Sequence, residues 1–289
     1  MNTATMSSGS RAKETPLTCA RPFTSFADPT VAKTTKKDRR ESVVVGVDGS
    51  RAALEATAWA VAEAVSLGLP LRLVHVRVAR GPAARADGFG DDTIPAESAL
   101  YRAEMVVHDM ATPVRVETAI VEGNPACVLI GESRMAALVC VGSAGKGPCT
   151  RMPLGSTAAA LAKHANCPVA IVRCGAAPPT DTGWVAAVQN DEPDNDAVIH
   201  WAMQEGRLRR APVLLIDTRR DSWIRRYPDV VVRTVATRDA RTRSNVGDSD
   251  SIQLAVVGLA DADHIAELVW HDYHPLLGDA GRSVLLVRN

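Results

Sequence analysis

Short runs of β-branched residues alternate with amphipathic stretches along this chain, and the whole alternation occurs twice. Trp59-Ala60 recurs as Trp201-Ala202, and at the same offset of 142 Pro70-Leu71-Arg72-Leu73-Val74 falls on Pro212-Val213-Leu214-Leu215-Ile216. Val114-Arg115-Val116 falls on Val230-Val231-Val232 at an offset of 116, so the second copy is shorter by a loop's length. Val139-Cys140-Val141-Gly142 then meets Ala255-Val256-Val257-Gly258. Val169-Ala170-Ile171-Val172-Arg173 meets Val284-Leu285-Leu286-Val287-Arg288 at an offset of 115. Solenoid units are much shorter, so the repeat signals a duplicated domain. Alternating strands and helices imply an α/β fold whose parallel sheet is covered on both faces.

In the first copy, the strand 42–47 ends at Asp48-Gly49-Ser50. A helix over 52–67 follows, with Leu54, Ala58, Val61, Ala62 and Val65 on one face. Strand 70–76, helix 96–110, strand 114–120, a turn at 121–125, helix 126–132 and strand 136–141 come next. Helix 156–163, with Ser156 as its N-cap, leads to strand 168–172. Residues 176–183, Pro-rich and polar, read as a linker. Residues 1–40 have no hydrophobic period and read as a disordered tail with candidate phosphorylation sites, ahead of domains at 41–175 and 184–289.

The formal net charge is +0, which argues against nucleic-acid and membrane-surface partners. No apolar run approaches the ~18 residues of a spanning helix. The six cysteines include no C-x-x-C pair, which fits a reduced, cytoplasmic protein. His264, His271, Asp272 and His274 do not form a metal motif, since Pro275 ends any helix they could share. Arg207, Arg209 and Arg210 read as ordinary complements of a helix C-terminus. Cys149 reads as an inert loop thiol, since no second thiol is placed to resolve it.

Chemistry concentrates where Val141-Gly142-Ser143-Ala144-Gly145-Lys146-Gly147 joins a strand's carboxyl end to a helix's amino end. Unpaired N–H groups and the helix dipole favour an anion there, phosphate above all. Lys146 is followed by Gly147, not by Ser or Thr, so this is not a Walker A loop. The first turn, Gly46-Val47-Asp48-Gly49-Ser50, is not a dinucleotide fingerprint either.

The spacing of Gly142, Gly145 and Gly155-Ser156 resembles the ATP-binding signature of the universal stress protein family. The resemblance spans residues 41–289, by motif in the first copy and by architecture in the second. It implies two tandem Rossmann-like domains of the adenine nucleotide alpha hydrolase type, each with five mainly parallel strands and helices on both faces. ATP is the implied cofactor, with Mg2+ as an optional companion. Asp48 would then meet the adenine or ribose, Gly46 would leave room for the nucleoside, and Val76 would line the adenine slot. Gly123 matches a family turn set against the base. Val141 leads into the cradle, where Gly142, Gly145 and Gly147 would wrap the phosphates with Ser143 and Lys146 alongside. Arg151 would sit over the phosphates, and Gly155-Ser156 would present N–H and hydroxyl donors. The final strands of the two copies resemble edges that pair in family dimers, which implies a homodimer.

The second copy has lost this equipment. Asp48 becomes Asn190, Gly123-Asn124-Pro125 becomes Asp239-Ala240-Arg241, Gly145 becomes Asp261, and Gly155-Ser156 falls near His271-Asp272. One competent site, in the first domain, is expected. The leading reading is a nucleotide-dependent stress regulator that is not an enzyme. A slow ATPase or autophosphorylating protein and a nucleotide-free scaffold are the alternatives. ATP pyrophosphatases and nucleotidyl transferases are excluded by their missing Ser-Gly-Gly-rich loop and His-x-Gly-His turn.

Overall fold

The computed structural model describes residues 41–78, 95–144, 154–174, 183–188, 195–216, 226–235, 252–269 and 282–288. The first half carries β1 (Ser42–Gly46), α1 (Arg51–Leu67), β2 (Leu71–Arg77), α2 (Ala96–Asp109) and β3 (Val116–Glu122), then α3 (Pro125–Glu132), β4 (Ala136–Gly142), α4 (Ser156–His164) and β5 (Val169–Val172). The second half carries β6 (Trp184–Val188), α5 (Asn195–Arg209), β7 (Val213–Ile216), β8 (Val232–Val235) and β9 (Ile252–Val257). A 3-10 helix (Leu259–His264), α6 (Ile265–Val269) and β10 (Ser283–Leu286) complete it.

The ten described strands form one sheet, in the order β3-β2-β1-β4-β5-β10-β9-β6-β7-β8. Within each half the pairs are parallel, and the halves meet where β5 runs antiparallel to β10. The registers obey the offsets in the sequence. Val43 faces Leu71 as Val185 faces Val213, and Leu71 faces Val116 as Val213 faces Val232. Even the irregularity after Ser42, where β1 slips against β4, recurs after Trp184, where β6 slips against β9. The edges that the family resemblance would pair across two chains are therefore paired within one.

Strands covered on both faces read as continuous apolar runs. β1 and β4 bury Val43, Val44, Val45, Leu138, Val139 and Cys140 almost completely. One face packs against α1, α2 and α5, through residues such as Ala56, Leu100 and Met203. The other packs against α3, α4 and α6, through Leu129, Leu161 and Leu268.

Three local expectations need revision. α1 buries Ala52, Ala53, Ala56, Thr57, Ala60, Val61, Glu63 and Ala64, whereas Val65 is exposed. Close approach to the sheet selects alanines over larger apolar residues, and it turns the face expected to be buried partly outward. β3 begins at Val116, two residues late, because Val114 N–H bonds to the Thr112 carbonyl in a tight turn. α4 is capped by Gly155, with Ser156 as its first helical residue. The tail, residues 176–182 of the 176–183 linker and Asn190 lie outside the described residues.

Between the halves sits a buried ionic cluster. Arg209 Nη2 lies 3.1 Å from Glu63 Oε1 and 2.8 Å from Glu205 Oε2, with these side chains only 5%, 3% and 1% exposed. Glu63 and Glu205 occupy the same place in the two copies, whereas Arg209 replaces Leu67. The Arg209 guanidinium also stacks 5.0 Å from the Trp59 ring centroid. Burial, reinforced by the Glu205 carboxylate, raises Glu63 well above the usual carboxylate range despite Arg209. Glu205 also rises through burial. Cys140 and Cys167 are free thiols that burial pushes upward, Cys167 to about 12, so neither is a thiolate at neutral pH.

Candidate functional site

A cleft of about 190 Å³ opens at the carboxyl ends of β1, β2 and β4, between the amino ends of α1, α3 and α4. This is the side on which open parallel sheets take their ligands. Gly46, Asp48, Val76, Val141, Gly142 and Ser156 line it. The structure thus gathers six of the expected site residues around one space. The same walls include Val47, Ser50, Ala53, Val74, Pro125, Leu129, Ala144 and Thr157. Sequence reasoning missed these, although Pro125 at a helix start was a usable signal.

Asp48 owes its position to the turn after β1. Val47 N–H bonds to the Val74 carbonyl, which extends the β1–β2 ladder by one residue. His75 Nδ1 lies 2.8 Å from the Val47 carbonyl, so Nδ1 carries the proton. Arg102 Nη1 donates to the Gly49 carbonyl at 3.1 Å, and Gly49 takes φ +79°. Asp48 Oδ1 accepts the Ser50 N–H at 2.8 Å, and Ser50 Oγ accepts the Ala53 N–H at 3.2 Å to cap α1. Asp48 is therefore not the cap of α1; it braces the turn with one oxygen and lines the cleft.

The glycines divide by role. A Cβ on Gly142 would lie 2.6 Å from Ala52 Cβ and 2.7 Å from the Ala52 carbonyl carbon, so this glycine admits the first turn of α1 against β4. A Cβ on Gly46 would lie 2.8 Å from Leu129 Cδ1, so the room it leaves is filled by α3. Gly123 has φ +147°, donates to the Arg77 carbonyl and lies outside the cleft lining. Asn124 Oδ1 then caps α3 by accepting from Ala126 N and Cys127 N.

Ser143 and Gly155 form a neck. Ser143 N–H bonds to the Val172 carbonyl, and Gly155 N–H bonds to the Ser143 carbonyl at 2.8 Å. Ser143 is buried; its N–H extends the β4–β5 ladder, and its carbonyl and the Gly155 N–H are spent on each other. Among the described residues of this loop and helix, the donors left for an anion are those of the first turn of α4, at Ser156 and Thr157, where no side chain caps the helix. Gly145, Lys146, Gly147, Cys149 and Arg151 lie outside the described residues.

Residues 39–173 match the sequence profile of the universal stress protein family. Universal stress protein Rv2624c of Mycobacterium tuberculosis is 37% identical over 264 residues, covering 86% of this chain and 96% of the relative. The chain belongs to the universal stress protein family. A second relative, universal stress protein Rv2028c of the same organism, is 35% identical over 266 residues, covering 85% of this chain and 95% of its own. The crystal structure of a universal stress protein from Archaeoglobus fulgidus superposes with a TM-score of 0.58, covering 86% of this chain and 97% of that one, at 11% identity. That likeness concerns the fold alone.

Within this universal stress protein, the second half's counterpart of Gly142 is Gly258, which caps the 3-10 helix Leu259–His264. Asp261, in the place of Gly145, lies in that helix. Asp239, Ala240, Arg241, His271, Asp272 and His274 lie outside the described residues. Among the described residues no three His, Cys, Asp or Glu side chains converge on a metal position. Likewise, no described helix is long and apolar enough to cross a membrane.

Proposed function

We propose that this chain binds ATP in the first-half cleft and acts as a nucleotide-dependent regulator in stress adaptation. The observation that carries this reading is the pairing, in one cleft, of an apolar slot beside Asp48 with the uncapped amino end of α4. Val74, Val76 and Val141 offer a dry surface for adenine, and the free oxygen of Asp48 can accept from a ribose hydroxyl. Ser156 and Thr157 N–H groups would receive a phosphate, helped by the positive end of the α4 dipole. Gly145, Lys146, Gly147 and Arg151 complete the phosphate side in this reading, and Gly123 orients α3 from outside.

Asp48 is the one carboxylate among the described cleft residues. Glu117 and Glu122 stand on the outermost strand, beside Arg115 and Arg77. Any Mg2+ would thus be held chiefly by the triphosphate, and the reading is a binding protein, with slow hydrolysis or autophosphorylation as the alternative. One site per chain follows from Asp261 and Asn190 in the second half. The domains at 41–175 and 184–289 and the cytoplasmic location belong to the same proposal. A homodimer would need a surface other than β5 and β10, which already pair with each other.

Mass spectrometry of nucleotide retained through native purification, followed by calorimetric titration, tests the reading. Retained adenine nucleotide and about one ATP per chain are expected. No binding, or two sites per chain, would overturn it.

A further inference from the structure

The second half takes hold of α4 from behind. Leu161 and Ala162 of α4 share a buried apolar cluster with Ile265, Leu268 and Val269 of α6, and Ala262 of the 3-10 helix packs against it. Lys163 Nζ of α4 lies 2.8 Å from Asp263 Oδ1 in the 3-10 helix. Arg288, just past β10, donates from Nη2 to the carbonyls of Leu161 and Ala162. The Leu161 carbonyl already accepts the Ala165 N–H, so Arg288 adds a second donor there and one on the Ala162 carbonyl, at the negative end of the helix dipole, which fixes the end of α4. Burial lowers the Arg288 pKa, yet a guanidinium stays charged at any physiological pH.

The placement is specific. At the offset of 116, Asp263 stands where the first half carries Gly147 of its cradle, and at the offset of 115 Arg288 matches Arg173. The segment that would have served a second nucleotide has become a 3-10 helix seated against the helix that serves the first.

We infer that Arg288 is a positioning residue for the anion end of the cleft. It acts through α4: it holds the carboxyl end of the helix so that the Ser156 and Thr157 N–H groups keep their aim. This rests on the reading of the cleft as a nucleotide site. It gives the second half a function there without a ligand of its own. Coupling of this kind is reciprocal, so a phosphate at the amino end of α4 stabilises the contact at its carboxyl end.

Full-length wild type, Arg288→Met and Arg288→Lys are titrated with ATP and with adenosine. Met keeps the apolar stem and removes the donors. The expected result is an ATP affinity about tenfold weaker in R288M, from loss of charge-assisted bonds to α4. Adenosine affinity should change less than about twofold, and R288K should recover part of the loss. A structural defect alone would weaken both ligands together. Equal ATP binding by R288M and wild type, or equal losses for both ligands, would overturn the inference while leaving the nucleotide site intact. Absence of ATP binding by wild type would remove the site itself. Should R288M not fold, hydrogen exchange on wild type decides: amides at 259–269 and 282–288 should be protected by ATP beyond the effect of adenosine, and no difference would refute the coupling.

Discussion

The first and second halves share one set of strand registers yet finish differently above the sheet. Val43 with Leu71 and Val185 with Val213, Ser42 with Ala136 and Trp184 with Ile252, are the same contacts made twice. After β4 the chain passes through a neck closed by Ser143 and Gly155 and starts a helix with open N–H groups. After β9 it turns at once into a 3-10 helix that packs against α4. Strand pairing and burial constrain every position of the sheet, whereas the tops answer only to what they bind. Duplication can therefore preserve a scaffold while one copy's loop takes another employment.

Arg209→Leu gives the second copy the residue that the first has at Leu67, which makes the halves alike where they should not be. It leaves Glu63 and Glu205 buried without their cation, at a cost of about 3–5 kcal/mol. Urea denaturation at neutral pH should show that loss, and the loss should shrink in mild acid as both carboxyls take up protons.

Gly142→Val is expected to rank next. Its Cβ would meet the Ala52 backbone, which cannot give way as a side-chain tip could. Overpacking of this kind costs about 1–3 kcal/mol, and ATP titration should show binding abolished because α1 is pushed off the cleft. Unchanged melting and binding would mean that the close approach of α1 and β4 is dispensable.

Glu63→Gln sharpens the same comparison by fixing one copy in the neutral form. The folded pKa of Glu63 is raised, so its contribution is complete below the ordinary glutamate range and fades as pH rises through the folded value. Wild type should thus lose stability toward alkaline pH relative to E63Q, by about 2–4 °C in melting temperature for each kcal/mol. Parallel curves for the two proteins would show that Glu63 holds no extra proton.

The smallest effect contrasts two helix starts. Ser50→Ala removes the cap of α1 and should cost about 1 kcal/mol. Ser156 follows the cap of α4 and bonds no helix N–H, so Ser156→Ala should leave thermal stability nearly unchanged.

What the sequence made legible follows from the range of each interaction. β-branched runs revealed the strands, because each is written within a short window, and fixed offsets between like runs revealed the repeat. Asp48, Val76, Val141, Gly142 and Ser156 could be placed at the cleft because strand ends were readable. The buried face of α1 was not readable, since Ala53, Ala56 and Ala60 are chosen by the closeness of a sheet that the helix sequence does not contain. The burial of Glu63 leaves no sign in its own helix, because its partner Arg209 comes on α5 from far along the chain. The Ser143–Gly155 neck was hidden for the same reason: two backbone groups meet there, and backbone leaves no mark in composition.

The seam between β5 and β10 has one more consequence. Two separate chains joined at such an edge would part on dilution, but a tether fixes the effective concentration of one edge at the other. Here the join is independent of how much protein the cell makes. A universal stress protein built this way carries its second lobe at every level of expression, so α4 is never without the contacts of α6 and Arg288.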